Sequence, residues 1–337
     1  MKKLFVLFLV ALTMLAPFAR ADEQKALYVA RLLKDAPLKP APDRKTDHTV
    51  ILPAKSAVDI LELGPEWVLV RSENRTGYIR RWHIDFNKVQ AVNPSATPPY
   101  PAVLSEYLAW VSNKTEVRDA PNAGAKSLIT MNPGARLAIL GIEDGWAKLI
   151  FKRQYGYIDT RDLKELQPIA NSVQNADGSA PIAAYTSFYN LSTNEENLNR
   201  IKNIAVANDR MRMYLIRPGE SFDFNRDAGP YNKRSGYFPA PALVDGGVTL
   251  SYGGGTCQVS STLYNSLMQL PGISVVKRRP HGPGGAKYLP LHADAAVGNS
   301  SLNLIFRNYY PFPVYIDGSS QDGALTIVIW PAPDKKS

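Results

Sequence analysis

The chain has 337 residues, of which 45% are hydrophobic and 20% charged, a balance that excludes a disordered polymer and leaves room for two or three folded units. Its formal charge of +9 falls to +6 without Lys2, Lys3 and Arg20, which points to acidic partners without identifying one. The single cysteine excludes an intramolecular disulfide, so cores alone must hold the fold.

The first element is an export signal. Lys2 and Lys3 precede an apolar run from Leu4 to Leu15, followed by Pro17 and the small-residue cleavage site Ala19-Arg20-Ala21. A transmembrane helix needs about 20 residues, so this run is too short to span a bilayer. Residues 1–21 therefore read as a signal peptide, and the mature chain begins at Asp22. Later stretches are shorter still in apolar content, so no membrane span is expected after cleavage. The expected location is the periplasm or cell wall. There nucleic acid is not an expected partner, whereas the carboxylate-bearing stem peptides of peptidoglycan are.

An internal repeat follows. Asp35-Ala36-Pro37 is echoed by Asp119-Ala120-Pro121, Trp67 by Trp146, and Gly77-Tyr78-Ile79 by Gly156-Tyr157-Ile158. In both copies the glycine lies ten residues beyond the tryptophan. Between these markers, Thr49–Leu52, Val58–Leu63, Leu137–Ile142 and Ala147–Phe151 alternate with Gly, Pro and Asp, as short strands of small all-β barrels do. The arrangement resembles the bacterial Src-homology-3 (SH3)-like domain, once over residues 22–92 and again over 106–167. That resemblance implies wall attachment or substrate positioning. Trp67, Trp146, Tyr78 and Tyr157 are read as packing residues. A Pro-rich linker spans residues 93–105, and a second, polar and Gly-containing linker spans 168–181.

Residues 182–337 form the last unit. A strand is expected over Ala184–Tyr189, then a helix capped by Thr193 with Glu196 completing a capping box. Leu302–Phe306, Val314–Ile316 and Leu325–Ile329 read as closing strands. Helix mixed with mostly antiparallel sheet makes this unit α+β, so the whole chain is multidomain: two small all-β barrels followed by an α+β domain.

The chemistry concentrates in Ser251-Tyr-Gly-Gly-Gly-Thr-Cys-Gln-Val-Ser-Ser-Thr-Leu-Tyr-Asn265. Three glycines permit a turn that side chains would forbid and allow close backbone approach. Val259, Leu263, Leu267 and Leu270 then recur at helical spacing until Pro271-Gly272. Thr256 or Cys257 therefore starts a helix, where unpaired N–H groups and the helix dipole favour a thiolate. The same N–H groups suit an oxyanion. The glycines lack the lysine and spacing of a phosphate loop. Of the four histidines, His281 and His292 lie in the last unit, and His281 is 24 residues after the cysteine. A Cys257–His281–Asp294 triad is physically sensible, with Asp294 orienting the imidazole. His292 remains the alternative base.

Asn199-Arg200, Asn203-Ile204, Arg217-Pro-Gly-Glu-Ser-Phe-Asp-Phe-Asn225, Gly229-Pro230, Gly236-Tyr237, the cysteine block, Arg278-x-x-His281, Tyr288-x-Pro290 and Asp294-Ala-x-Val297 occur in the order of the VanW family. Over residues 184–317 the chain resembles that family, some of whose members are peptidoglycan L,D-transpeptidases with a catalytic cysteine. The resemblance implies Cys257 as nucleophile and His281 as general base. Members often carry Ser after the motif histidine and Gly-Arg before the aspartate, where this chain has Gly282 and His292-Ala293.

The expected activity is a cysteine-dependent L,D-transpeptidase that forms 3-3 cross-links through a thioester, without metal or cofactor. Gly254, Gly255, Thr256 and Gln258 are expected around the substrate, and Arg217, Arg278 and Arg279 on stem carboxylates. The rival readings are a cysteine endopeptidase of the same polymer, a carboxypeptidase with water as acceptor, and a non-catalytic wall-binding scaffold.

Overall fold

The computed structural model describes residues 25–93, 102–170, 178–244, 247–282 and 284–332. The export segment lies outside the described residues, as do residues 94–101 and 171–177 of the two linkers. The protein is mostly β, with several small sheets and few helices. Among the described residues every strand pair is antiparallel, and no helix is long and apolar enough to cross a membrane.

The sequence repeat is a structural repeat. Trp67–Ser72 and Arg75–Arg80 form a hairpin with Trp67 opposite Arg80, and Trp146–Phe151 pairs with Gln154–Asp159 with Trp146 opposite Asp159. Both glycines of the repeated motif are there for space. A Cβ on Gly77 would sit 2.7 Å from the Lys39 carbonyl oxygen, and one on Gly156 would sit 2.7 Å from Val117 Cγ1. Each marks a point where another strand crosses the hairpin at close range, which no larger residue permits. The tyrosines that follow bridge to that crossing segment, Tyr78 to Lys39 and Tyr157 to Arg118.

The repeated aromatics are not core residues. Trp67, Trp146, Tyr78 and Tyr157 are all half-buried, because they point away from the alternating inward positions Val68, Val70 and Ile79 or Ala147, Leu149 and Ile158. Trp67 instead faces the Arg80 guanidinium at 4.9 Å, and Trp82 lies on that group's other contact at 4.3 Å.

In the carboxy-terminal unit, Ala183–Phe188, Ala324–Pro331, Val314–Gln321 and Leu215–Ile216 form a four-stranded sheet in that spatial order. Helix α1 (Glu195–Met211) begins one residue later than the capping box suggests: Asn194 caps it by accepting from the Asn197 N–H, so the Thr193 assignment is corrected. A short helix α2 (Phe224–Ala228) precedes the hairpin Pro239–Val244/Gly247–Tyr252. Helix α3 (Thr256–Leu267) follows directly and lies against the strands Ala183–Phe188 and Ala324–Pro331. A three-stranded sheet of Ser221–Asp223, Ile305–Asn308 and Ile273–Lys277 completes the unit.

The apolar stripe of α3 is one buried face, yet its polar side is buried too, from Gln258 onward. Those polar side chains are satisfied by neighbouring segments, which is the condition for burying them. Ser260 Oγ donates to the Ala295 carbonyl at 2.6 Å, the Ala295 N–H donates to Ser261 Oγ, and Asn265 Nδ2 donates to the Ala293 carbonyl. Helix α3 is thereby laced to residues 293–297.

The units share core. Phe188 and Ala324 of the last unit pack within the hydrophobic cluster of the second β unit. Arg136 pairs with Asp317, and the Ala138 N–H donates to Thr186 Oγ1.

Candidate functional site

The hairpin Pro239–Tyr252 enters α3 through three glycines, and the turn is built on steric need. Gly255 is the N-cap at φ 110°, a left-handed conformation that suits glycine. A Cβ on Gly254 would lie 2.4 Å from the Ala240 carbonyl oxygen, so that glycine lets two backbones meet. Fully buried Asn203 of α1 locks the junction: its amide donates to the Phe238 and Gly254 carbonyls and accepts from the Phe238 N–H, each at 2.8–2.9 Å.

Cys257 is the second residue of α3 and is half-buried. The N–H groups of Thr256 and Gln258 bond to the Gly253 and Gly255 carbonyls. The Cys257 N–H between them has no acceptor among the described residues, as expected in a first helical turn. The sulfur lies 3.4 Å from the Val297 carbonyl oxygen and 3.5 Å from the Val297 N–H. The lacing of α3 to residues 293–297 sets that contact.

His281 comes to the cysteine, and Asp294 comes to His281. Asp294 Oδ2 accepts from both the ring Nδ1 and the backbone N–H of His281 at 2.7 Å. This leaves Nε2 for the cleft, which His281 lines together with Cys257. Burial opposes a charged imidazole, but the Asp294 and Cys257 hydrogen bonds and charges prevail and push His281 up to about 10. For Asp294, 1% exposed, burial alone would raise the carboxyl; hydrogen bonds from the His281 ring and N–H, with the His281 and Arg278 charges, hold it below the usual range instead.

The second histidine is elsewhere. His292 stacks on Phe86 of the first β unit at 5.3 Å, and burial with the nearby Arg81 and Arg278 charges pushes it down. The choice between His281 and His292 is therefore one of geometry: only His281 lines the cleft that contains Cys257.

That cleft has a volume of about 990 Å³. Gly254, Gly255, Thr256 and Gln258 line it, whereas Arg217, Arg278 and Arg279 do not. Arg217 lies in an exposed turn beside Glu220. Arg278 donates to the Asp294 and His292 carbonyls and sits 3.6 Å from Asp294 Oδ1, bracing the triad from behind. The Arg279 side chain is exposed, and its carbonyl accepts from the Ala296 N–H. These three assignments to substrate carboxylates are corrected. The fully buried amide of Gln258 accepts from Arg200 Nη2 at 2.6 Å and donates to Ser187 Oγ at 3.0 Å. It positions Arg200, a cleft residue that sequence reasoning had quoted within a motif but given no role. Tyr288 and Tyr231 also line the cleft. Among the described residues, no cluster of three or more His, Cys, Asp or Glu side chains could hold a metal ion.

Residues 199–330 match the family model described as VanW like protein. The VanW-like segment thus contains the cysteine turn, the histidine loop and the closing strands. The chain is 31% identical over 149 residues to YoaR, an uncharacterized protein of Bacillus subtilis, covering 44% of this chain and 47% of that protein. It is 30% identical over 83 residues to the vancomycin B-type resistance protein VanW of Enterococcus faecalis, covering 25% of this chain and 30% of that one. The chain therefore spans less than half the length of these relatives. Solved structures matched include NlpC1 from Trichomonas vaginalis, at 11% identity and TM-score 0.18 over 94% of this chain and 95% of that one. An NlpC/P60 family protein from Bacillus cereus matches at 13% identity and TM-score 0.16 over 89% and 93%. At these scores no conclusion about fold or activity follows.

Proposed function

We propose that this protein is a cysteine acyltransferase of the bacterial wall, an L,D-transpeptidase acting on peptidoglycan stem peptides. The observation that carries the reading is the His281–Asp294 hydrogen bond together with Cys257 at a helix N-terminus, His281 and Cys257 both lining a cleft large enough for a peptide. The VanW-like segment and the export signal expected at the amino terminus support the wall as the site of action.

In the proposed reaction His281 holds the proton of the Cys257 thiol at rest. The thiolate attacks the carbonyl of the third stem residue, and the Cys257 N–H faces the developing oxyanion. Collapse breaks the peptide bond and leaves a thioester, while the terminal D-residue departs with the proton from His281. The side-chain amine of a second stem then attacks the thioester and gives a proton back to His281. A 3-3 cross-link forms and the thiolate–imidazolium pair is restored. The two β units, which resemble SH3-like repeats, would hold the enzyme on its polymer and raise the local substrate concentration.

The test is incubation of the protein with tetrapeptide muropeptides beside Cys257→Ser. Wild type should yield 3-3 dimers and free D-amino acid, and the variant neither. Tripeptide without dimers would make water the acceptor and the enzyme a carboxypeptidase. Identical products from both proteins would leave the wall-binding scaffold as the reading.

A further inference from the structure

We propose that Arg200 forms a carboxylate-binding subsite beside Cys257, so that the acyl donor must end in a free carboxylate one residue beyond the bond that is broken. The inference rests on the acyl-transfer reading above and specifies its substrate class.

Arg200 lies in α1, 57 positions before the cysteine, and its side chain reaches the cleft wall next to it. Three features hold the guanidinium there. Gln258, the residue after Cys257, accepts from Nη2 and is itself tied to Ser187. Gly255 leaves the room: a Cβ at that position would lie 2.9 Å from Arg200 Cγ and 3.0 Å from the Arg200 carbonyl oxygen. The ring of Tyr288 lies 5.9 Å from the guanidinium carbon on the far side. Two residues of the Gly-Gly-Gly-Thr-Cys-Gln block, Gly255 and Gln258, thus serve the placement of this arginine.

Among the described residues its charge has no carboxylate partner. Arg226 of the cleft and Arg278 beside the triad are matched, with Asp227 and Asp294. Burial disfavours the charged form of Arg200, and no carboxylate among the described residues pairs with it. Gln258 takes a single N–H of a group that carries five. A half-buried guanidinium without an acid is costly unless a ligand supplies one, and its planar fork is suited to a carboxylate. In a peptide whose scissile carbonyl sits on Cys257, the terminal carboxylate of the departing residue falls next to the thiol, where Arg200 is. An internal peptide bond offers no such group. The subsite therefore selects removal of a single terminal residue over cleavage within a longer peptide.

The test uses two alkylating reagents that differ only in carboxylate against amide. Iodoacetate and iodoacetamide rates at Cys257 are measured in the folded protein and divided by the same ratio in urea. Wild type should favour iodoacetate by about tenfold, the scale of one charge-assisted bond. Arg200→Met should abolish the preference, and Arg200→Lys should retain part of it. Gln258→Glu places a carboxylate on Arg200 from within and should abolish it while keeping the arginine, which guards against misfolding of the Met variant. A preference that survives in both Arg200→Met and Gln258→Glu, or is missing in wild type, overturns the proposal. Tetrapeptide turnover against its C-terminal amide is read in parallel. Iodoacetate preference without turnover of either peptide keeps the carboxylate subsite and removes the transpeptidase reading instead.

Discussion

His281 shows how a few contacts set the working state of the triad. Its folded value of about 10 lies above the ordinary 6.5 because the Asp294 and Cys257 interactions outweigh burial. A raised value stabilises the folded protein fully below about pH 6.5, and that contribution is lost as pH rises through about 10. Asp294 has the opposite sign: its lowered value contributes above the ordinary carboxylate range and is lost as pH falls through the folded value. Between those limits the pair is intact and His281 is an acid at rest, which in the proposed reaction protonates the leaving amine. The alkaline limb of kcat/KM should therefore lie near pH 10 in wild type. Asp294→Asn should move it to lower pH and reduce kcat/KM by about 10²–10⁴-fold, the range for general acid–base groups. A limb that stays in place in the variant would show that Asp294 does not tune His281.

Helix α3 and the turn before it act as one element. Asn203 supplies three hydrogen bonds to the turn from α1, all buried. Asn203→Leu keeps the volume and leaves the Phe238 N–H and the Phe238 and Gly254 carbonyls without that partner. Urea denaturation should report a loss of roughly 2–4 kcal/mol, since each buried group left unsatisfied costs about 1–3 kcal/mol before relaxation. A loss under about 0.5 kcal/mol, the range of ordinary surface substitutions, would mean the turn holds itself. The polar face of α3 works in the same way toward residues 293–297, which is how Val297 and Asp294 keep their distance from Cys257.

At the scale of the whole molecule, the amino-terminal β units do more than precede the VanW-like segment. Arg153 of the second unit donates to the Gly284, Ala286 and Leu289 carbonyls, and Arg81 of the first donates to the Leu291 carbonyl. Both therefore hold the stretch that follows His281 and carries Tyr288. Arg153→Ala removes three contacts to that stretch without touching the triad. It should lower kcat/KM by about 10–10²-fold, the effect of a small misplacement of reacting groups, and speed amide exchange over residues 284–289. Unchanged exchange there would assign the loop's order to the VanW-like segment alone.

The features that the sequence determined by itself are those ruled by neighbours in the chain. Three glycines before an apolar period of four forced a turn and a helix, which placed Cys257 at an N-terminus whatever lay around it. The same locality made the repeated hairpins legible from Trp67, Gly77, Trp146 and Gly156, since alternation and close crossings leave a pattern in adjacent residues. Residue periodicity did not say which polar groups would be consumed within the fold. Arg278 looks like a ligand for substrate until the carbonyls of His292 and Asp294 arrive, and Gln258 of the cleft wall is shared with Arg200 and Ser187 from distant segments. Only the tertiary structure chose His281 over His292, because Phe86 of another unit takes the second ring. It also left Arg200 beside the thiol without an acid, and a charge that lacks a partner becomes visible only when every nearby carboxylate has been placed.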